Sequence, residues 1–488
     1  MTIAFIGNQG GKGVLDFYAS MVGGLREGYA EVQCVFVPWL DSERNGLIAQ
    51  GWPESDVFSF ENWVQRRAWG GDEINRLCVE YVEVNWSAVI ASERAFTDYS
   101  FLLGGAGQRQ ESAAYVTELL VSIVTFLEHV FIERKIRAVV CQTADTLFSH
   151  VVFKVAKHLG IKVFAITPAW LLEKGLQGGY FSNNEFMESE RMLQEYRLMC
   201  DRALSSAEIL RVNAFVDAVR AFQNKTPFSE KNRERKAGFT ALSPNVWRLA
   251  QYLKMNSRRN TNVEYMKISP VRKAKANLLR LWRKFSGRNM FGPPDGGDIP
   301  TKSVFYAFQY QPEQSTLSQG IFYANQIALV ENISKSLPLG YTLIVKEHPW
   351  GRGARPVWQY RHLAELYNVH FCDAPAKEII SRVDAVIAIS GTVGFEALVL
   401  DKPTIILGRT FFTHCDLFYK ANSVQELPRL MREILVDHVF DSAPEREVRL
   451  KRFLLSYLNS LIPYFPTPEN GRYYGRVLAD CLGVAGKQ

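Results

Sequence analysis

Apolar residues in this chain come in two rhythms: short continuous runs, and longer stretches in which they recur every third or fourth position. Thr2–Ile6 is a run of the first kind, and it ends in the glycine-rich Gly7-Asn8-Gln9-Gly10-Gly11-Lys12-Gly13 before a helical rhythm begins near Val14. Glu31–Pro38 is a second strand, and residues from about 60 to 135 are mostly helical, with a glycine break at Leu103–Gly107. Ala138–Cys141 is again strand-like. A helix from about Thr146 to Leu159 stops at Gly160, and Lys162–Thr167 is the next strand, closed by Pro168. Strand, helix, glycine, strand is the βαβ signature of a parallel sheet.

Residues from about 185 to 290 read as polar and helical, and the turn-rich Gly292-Pro293-Pro294-Asp295-Gly296-Gly297-Asp298 reads as a linker. Beyond it the alternation is clean. Strands are predicted at Ser303–Gln309, Thr342–Lys346, Val369–Cys372, Ala385–Ile389 and Pro403–Leu407, the last of the set. Helices fall between them at about Gln319–Ser336, Val357–Tyr367, Ala376–Val383 and Thr392–Leu400. Continuous apolar strands separated by amphipathic helices indicate a parallel sheet covered on both faces. From Ser423, a predicted N-cap, the chain is helical again. The expectation is an α/β protein of two Rossmann-like lobes with a central cleft. The N-terminal lobe spans 1–180, a basic helical insertion 181–299 and the C-terminal lobe 300–440. A helical tail, 441–488, packs back toward the N-terminal lobe. Ligands in such sheets bind beyond the carboxyl ends of the strands, so the cleft is the place to look.

Composition narrows the class. With 47% hydrophobic and 22% charged residues the chain is an ordinary globular one, not a disordered or fibrous one. The net charge of +7 is uneven: Arg258, Arg259, Lys267, Arg272, Lys273, Lys275, Arg280, Arg283 and Lys284 lie between Lys254 and Arg288 with the single acid Glu264. Such a block suits anionic partners, acidic lipid, acidic glycan or nucleic acid, and equally a solvated helical face; of these an anionic membrane surface through residues 254–288 is an expected partner and nucleic acid is not. The seven dispersed cysteines form no CxxC pair, which suits free thiols in a reducing compartment. The N-terminus lacks a signal-peptide pattern, and no run approaches the ~18 apolar residues of a membrane span. A cytoplasmic protein, peripheral on an inner membrane face, is expected.

Three constellations carry candidate chemistry. Lys346-Glu347-His348-Pro349 sits at a strand's carboxyl end, where alternation aims Lys346 and His348 to one side and Glu347 to the other. Ser390-Gly391-Thr392-Val393-Gly394-Phe395-Glu396 follows a buried strand. Ser390 and Thr392 are cap-type residues, and the helix start is an anion site. Glu396, four residues after Thr392 on the same helix face, is placed to accept from ribose hydroxyls. The Gly7–Gly13 loop resembles a P-loop, but its spacing fails and Gly13 stands where Ser or Thr would hold magnesium, so it is read as an acceptor-side loop through Gly7, Gly10 and Gly11. Asp145 and Asp98 are the candidate bases, although Arg94 can pair with Asp98 along a helix. The histidines have no metal-ligand spacing, and neither HExxH nor Gly-x-Ser-x-Gly occurs, so neither metal nor cofactor is expected.

Phe308-Gln309-Tyr310-Gln311-Pro312-Glu313, Val345–Pro349, Ile389–Ala397 and Asp401-Lys402-Pro403, in this order, resemble the bacterial capsule polysaccharide biosynthesis family, which includes Kdo transferases. The resemblance covers residues 300 to 410. It implies a GT-B fold and a glycosyltransferase drawing on a nucleotide-activated sugar, CMP-Kdo or similar, with a glycan or lipid-linked acceptor. Carried over to this chain, His348 would contact the CMP phosphate, with Ser390 and Thr392 capping it. The Asp/Glu-Asp/Glu-Gly motif that supplies the base in bacterial sialyltransferases is missing. Two alternatives stand beside this reading: a sugar-nucleotide epimerase of the UDP-GlcNAc 2-epimerase type, and a non-catalytic subunit of a polysaccharide assembly complex.

Overall fold

The computed structural model describes residues 1–7, 12–64, 71–93, 96, 112–169, 178–221, 270–292, 297, 299–311, 313–439 and 444–483. It contains two sheets, each with helices on both faces, as expected of a two-lobed α/β protein. The N-terminal sheet runs β2 (Gln33–Val37), β1 (Thr2–Ile6), β3 (Ile136–Gln142), β4 (Lys162–Ala169), β5 (Gly178–Ser182). Its first four strands are parallel, and β5 returns antiparallel along β4. Pro168 lies within β4 rather than closing it, and β5 is an addition to the expected strands; Pro168 is tolerated because β3 pairs with β4 only as far as Ile166, so β4 is an edge on that side at Pro168.

Pleating sorts these strands' side chains between two cores. Ala4, Ile6, Val35, Val37, Val139 and Cys141 face the helices Ala113–Glu133 and Leu147–His158. Ile3, Phe5, Cys34, Phe36, Ala138 and Val140 face helix Lys12–Gly28 and the C-terminal helix Gly471–Cys481. Helix Ala113–Glu133 is long and apolar enough to cross a membrane by length and composition, against the expectation that no such stretch exists. Leu119, Leu120, Ile123, Val124, Leu127 and Val130 are all buried in the core, which accounts for its composition.

The tail closes the N-terminal lobe through glycine. A Cβ on Gly475 would stand 2.0 Å from the Met21 carbonyl oxygen, and one on Gly24 1.9 Å from that of Arg472, so helices 12–28 and 471–481 cross with their backbones in contact.

The C-terminal sheet is ordered β11 (Tyr419–Lys420), β10 (Thr404–Ile406), β9 (Ala385–Ala388), β6 (Ser303–Ala307), β7 (Thr342–Lys346), β8 (Val369–Phe371), all parallel. The two-residue β11 extends the sheet past the strand expected to be the last. Helix Gln326–Ser336 starts later than its pattern suggested; before it stand the short helix Gln314–Leu317 and the 3-10 turn Ile321–Tyr323. Ser423 begins the 3-10 turn Val424–Glu426 without a side-chain cap.

Helices Glu190–Cys200 and Ser206–Ala221 belong to the region read as polar. Their Met192, Met199, Val212, Phe215 and Val219 are buried with Phe395, Leu398, Phe412, Phe453 and Tyr457 in one core shared with helix 392–399 and helix Pro444–Ser460. In both sheets the chain moves outward one way and then the other. The reversal, where ligand crevices form, lies between β1 and β3 in one lobe and between β6 and β9 in the other.

Candidate functional site

At the C-terminal reversal the strand β6 lies between β9 and β7. The ends of β7 and β9 are therefore about 10 Å apart, twice the interstrand spacing. Residues after β6 bridge that gap. Gln309 lies against Gly391 so closely that a Cβ there would meet Gln309 Oε1 at 2.1 Å, so any larger residue would have to displace the Gln309 side chain. Tyr310 packs on His348 with ring centroids 5.4 Å apart, and Trp350 stands edge-on to His348 at 5.9 Å. The two strand ends singled out in the sequence are thus joined through Gln309 and Tyr310, whose part in the site the sequence did not single out.

His348 is half-buried. Its Nδ1 accepts from the Trp350 backbone N–H (3.2 Å), which leaves the proton of the neutral ring on Nε2. Burial, opposed by Glu347 and aided by Arg355 and Lys346, holds its pKa at about 4, so at neutral pH it offers an uncharged N–H donor.

The tetrapeptide does not otherwise behave as alternation implied. β7 ends at Lys346, so the pleat does not continue to His348. Lys346 Nζ turns to Asp373 after β8, donating to its backbone oxygen (3.0 Å) and to Oδ1 (3.4 Å), while Arg352 also pairs with Asp373. Lys346 and His348 therefore diverge. Burial, with Arg352 nearby, lowers the Lys346 pKa to about 8. Pro349 is exposed and ends the segment.

Glu347 does point inward, into a network with no sequence signal. Arg355 donates to Glu347 Oε2 (2.5 Å), as does Tyr360 Oη (2.6 Å), and Glu347 Oε1 accepts from the His348 N–H (2.8 Å). Arg355 also donates to Gln311 Oε1 (3.2 Å) and lies over the Phe308 ring at 4.3 Å. Gln326 ties the same loop down, accepting from the Gln309 N–H (2.6 Å) and donating to Gln311 Oε1 (2.9 Å). A fully paired buried network of this kind fixes the loops that carry Gln309, Tyr310 and His348.

After β9 the helix Thr392–Val399 has Gly391 as its N-cap, with no side-chain cap. Neither Ser390 nor Thr392 caps it, contrary to expectation, because the extended glycine already occupies that place and Thr392 is the first helical residue, exposed. Ser390 is buried, and its Oγ has no hydrogen-bond partner among the described residues. Leaving such a hydroxyl unsatisfied costs about 1–3 kcal/mol. It sits beside the free N–H groups of the helix start, where an anion is favoured. A second buried hydroxyl, Ser315 Oγ in helix Gln314–Leu317, is likewise without a partner among the described residues.

Glu396 is half-buried, and its electrostatic partner is Lys377. Burial raises its carboxyl to about 7, with Lys377 pulling the other way, and Lys377 Nζ donates to the Val219 carbonyl of helix 206–221. It thus lies in a helix seam rather than in the ribose-binding role expected of it.

In the N-terminal lobe Gly7 ends β1 and Asp145 follows β3, so both stand at that lobe's reversal. Asp145 is half-buried in the turn before helix 147–158, where Thr146 and Ser149 form a capping box. Its charge reaches the buried Tyr18, whose pKa is raised by burial first and by Cys141 and Asp145 after it. Nearby Glu93 is fully buried and accepts from the Leu147 N–H (2.7 Å), at the same helix start; 54 residues separate them, and no local pattern foretold it. Gly10, Gly11 and Asp98 lie outside the described residues.

The lobes meet through the turn after β5. Arg409, after β10, donates to both carboxylate oxygens of Glu188 (2.6 Å each) and lies over Phe186 at 4.7 Å. Gln314 donates to the Glu185 carbonyl (2.6 Å). Strand ends of one lobe are thereby clasped by the other.

Residues 323–427 match the family described as capsule polysaccharide biosynthesis protein. That stretch contains both Lys346–Pro349 and Ser390–Glu396, so the resemblance drawn from these motifs is shown. No curated protein matches the chain. Among solved structures, the chain is similar to the β-Kdo 2,7 transferase of KpsC from Thermosulfurimonas dismutans at 10% identity, over 72% of this chain and 89% of that one, with a TM-score of 0.35. It is also similar to the UDP-GlcNAc 2-epimerase of Methanocaldococcus jannaschii (12% identity, 99% of each chain, TM-score 0.24) and to that of Neisseria meningitidis bound to UDP-GlcNAc (11%, 99% of each, 0.22).

Proposed function

We propose that this chain is a glycosyltransferase of capsule or other surface-polysaccharide biosynthesis, and that its C-terminal lobe holds a nucleotide-activated sugar such as CMP-Kdo. The family match supports the biosynthetic context. The observation that carries the donor site is the buried, unpartnered Ser390 hydroxyl at the start of helix 392–399, facing the strand end that bears a neutral His348.

A phosphate bound there would take the Ser390 O–H, the Thr392 and Val393 N–H groups and the His348 Nε2–H. Aimed at the oxygen on which negative charge grows as the sugar leaves, such donors would stabilise that charge. Held by the Glu347–Arg355 network, they supply the stabilisation without a metal ion. Asp145, at the opposite reversal, is the group proposed to accept the acceptor's proton. The reading includes a cytoplasmic location, where such a donor would be available.

Titration of CMP, UDP and GDP against the purified chain tests the site directly. We expect preference for one nucleotide, and binding weakened by His348→Ala and Ser390→Ala. If both variants bind all three as the parent does, the site is elsewhere. Formation of an epimer from a nucleotide-sugar alone would overturn the transferase reading in favour of an epimerase. Binding without any turnover would favour a non-catalytic subunit.

A further inference from the structure

Helix Pro270–Ser286 is apolar on its outside. Leu278, Leu281, Trp282 and Phe285 are 68%, 64%, 63% and 67% exposed. Their spacing of three, four and seven places them in one stripe along the helix. The opposite side faces the protein: Ala276 and Gly287 are buried, and Leu279, Arg280 and Arg283 half-buried. At about 100° per residue the two stripes lie back to back. An amphipathic helix normally turns its apolar stripe to the core, and this one presents it to solvent.

The inward side is anchored by polar groups. Arg280 donates to the Trp350 carbonyl and Arg283 Nη1 to that of Ala354 (2.8 Å). Two of the cations are therefore spent on the loop that follows His348. Others flank the apolar stripe: Lys275, Lys284 and Arg288 are exposed, and the Arg288 guanidinium lies 4.7 Å from the Phe285 ring centroid. The helix sequence contains six cations, Arg272, Lys273, Lys275, Arg280, Arg283 and Lys284, and no acid.

We propose that this helix is an interfacial membrane anchor: it lies in the plane of an anionic bilayer with Leu278, Leu281, Trp282 and Phe285 among the acyl chains and Lys275, Lys284 and Arg288 at the phosphates. Apolar residues flanked by cations match the layered chemistry of an anionic lipid surface. The charge complementarity selects it over a neutral apolar groove, for which cations on both shoulders would have no partner. Trp282 has the amphipathic ring that the headgroup boundary favours. Because Arg280 and Arg283 hold the loop after His348, docking would bring the C-terminal strand ends close to the bilayer.

Vesicle flotation of the full chain tests this without nucleotide or sugar, so its failure and that of the transferase reading are separable. We expect the parent to bind vesicles of equal parts phosphatidylglycerol and phosphatidylcholine, to bind phosphatidylcholine alone far more weakly, and to be released by salt. Trp282→Glu with Phe285→Glu should weaken binding roughly tenfold or more. Lys275→Ala and Lys284→Ala should each weaken it about fivefold. Trp282→Phe should retain it. All of these side chains are exposed, and an unchanged circular-dichroism melt checks that the fold is kept. The proposal fails if the parent does not float with anionic vesicles, or if the double Glu variant floats as the parent does. It also fails if the stripe proves to join two copies: a dimer on gel filtration that the Glu variant turns to monomer, with no vesicle binding by either.

Discussion

The two lobes share a plan and furnish it differently. Each is a parallel sheet whose strand order reverses once, and each presents loops at that reversal. In the C-terminal lobe the loops are locked by buried polar pairs, Glu347 with Arg355 and Tyr360, and Gln326 with Gln309 and Gln311, and the Ser390 and Ser315 hydroxyls are among the buried polar groups left unpaired. The N-terminal lobe is packed with buried aromatic and aliphatic side chains on both faces of its sheet, Tyr18 on one, and on the other Trp39 against Phe60 and Phe148. A site that must hold a charged, multiply bonded ligand needs its donors preset, and that requires a network. If, as proposed, the N-terminal lobe meets the acceptor through the Asp145 carboxylate, it needs fewer such supports.

The division of labour can be broken by substitution. The largest effect is expected from Asp145→Asn, a loss of turnover of about 100- to 10,000-fold with nucleotide affinity unchanged, read from initial rates beside a titration. Equal loss of nucleotide binding would place Asp145 on the donor side and end the contrast. Next, Arg355→Met leaves the Glu347 carboxylate buried without its counter-charge, and urea unfolding should show about 3–5 kcal/mol less stability. Adding Glu347→Leu should recover much of it. Were the single variant as stable as the parent, the network would not be what holds the loops.

His348→Ala and Ser390→Ala come third. Each removes one hydrogen bond to a charged ligand, about 1.5–3 kcal/mol, or roughly 10- to 150-fold in affinity, while Ser390→Ala, which also removes the unsatisfied buried hydroxyl, should raise the unfolding midpoint of the ligand-free chain rather than lower it. A bound phosphate raises the pKa of His348 from about 4, so the parent should bind nucleotide more tightly as pH falls from 8 to 5, and His348→Ala should lose that slope.

The smallest effect concerns the seam beside the C-terminal lobe. The Glu396 pKa is raised from 4.5 to about 7 in the folded chain, so between those values the folded state holds the extra proton. Its contribution is present below 4.5 and lost as pH rises through 7. Glu396→Gln should therefore flatten the stability profile over that window and gain about 1–2 kcal/mol at pH 8, measured by urea unfolding at successive pH values. A steeper profile in the variant would show the carboxylate to be stabilised by Lys377 after all.

Local rhythm determined much of this molecule. Buried parallel strands are continuous apolar runs, so Thr2–Ile6, Thr342–Lys346 and Ala385–Ala388 were readable, and with them the strand ends at which a ligand would sit. The family match fell on the same strand ends. Tertiary structure alone decided which side chains those ends bring together. Glu93 meets Leu147 across 54 residues and Arg409 meets Glu188 across 221, and no periodicity carries information over such a span. It also decided direction. The chain past Lys346 leaves the pleat, so Lys346 and His348 part, and Gly391 takes the cap that Ser390 and Thr392 seemed made for. Helix Pro270–Ser286 shows the same division most simply. Its sequence specifies two faces, but a helix has no inside or outside until it packs, and here two arginines bound to backbone carbonyls turn the apolar face to solvent.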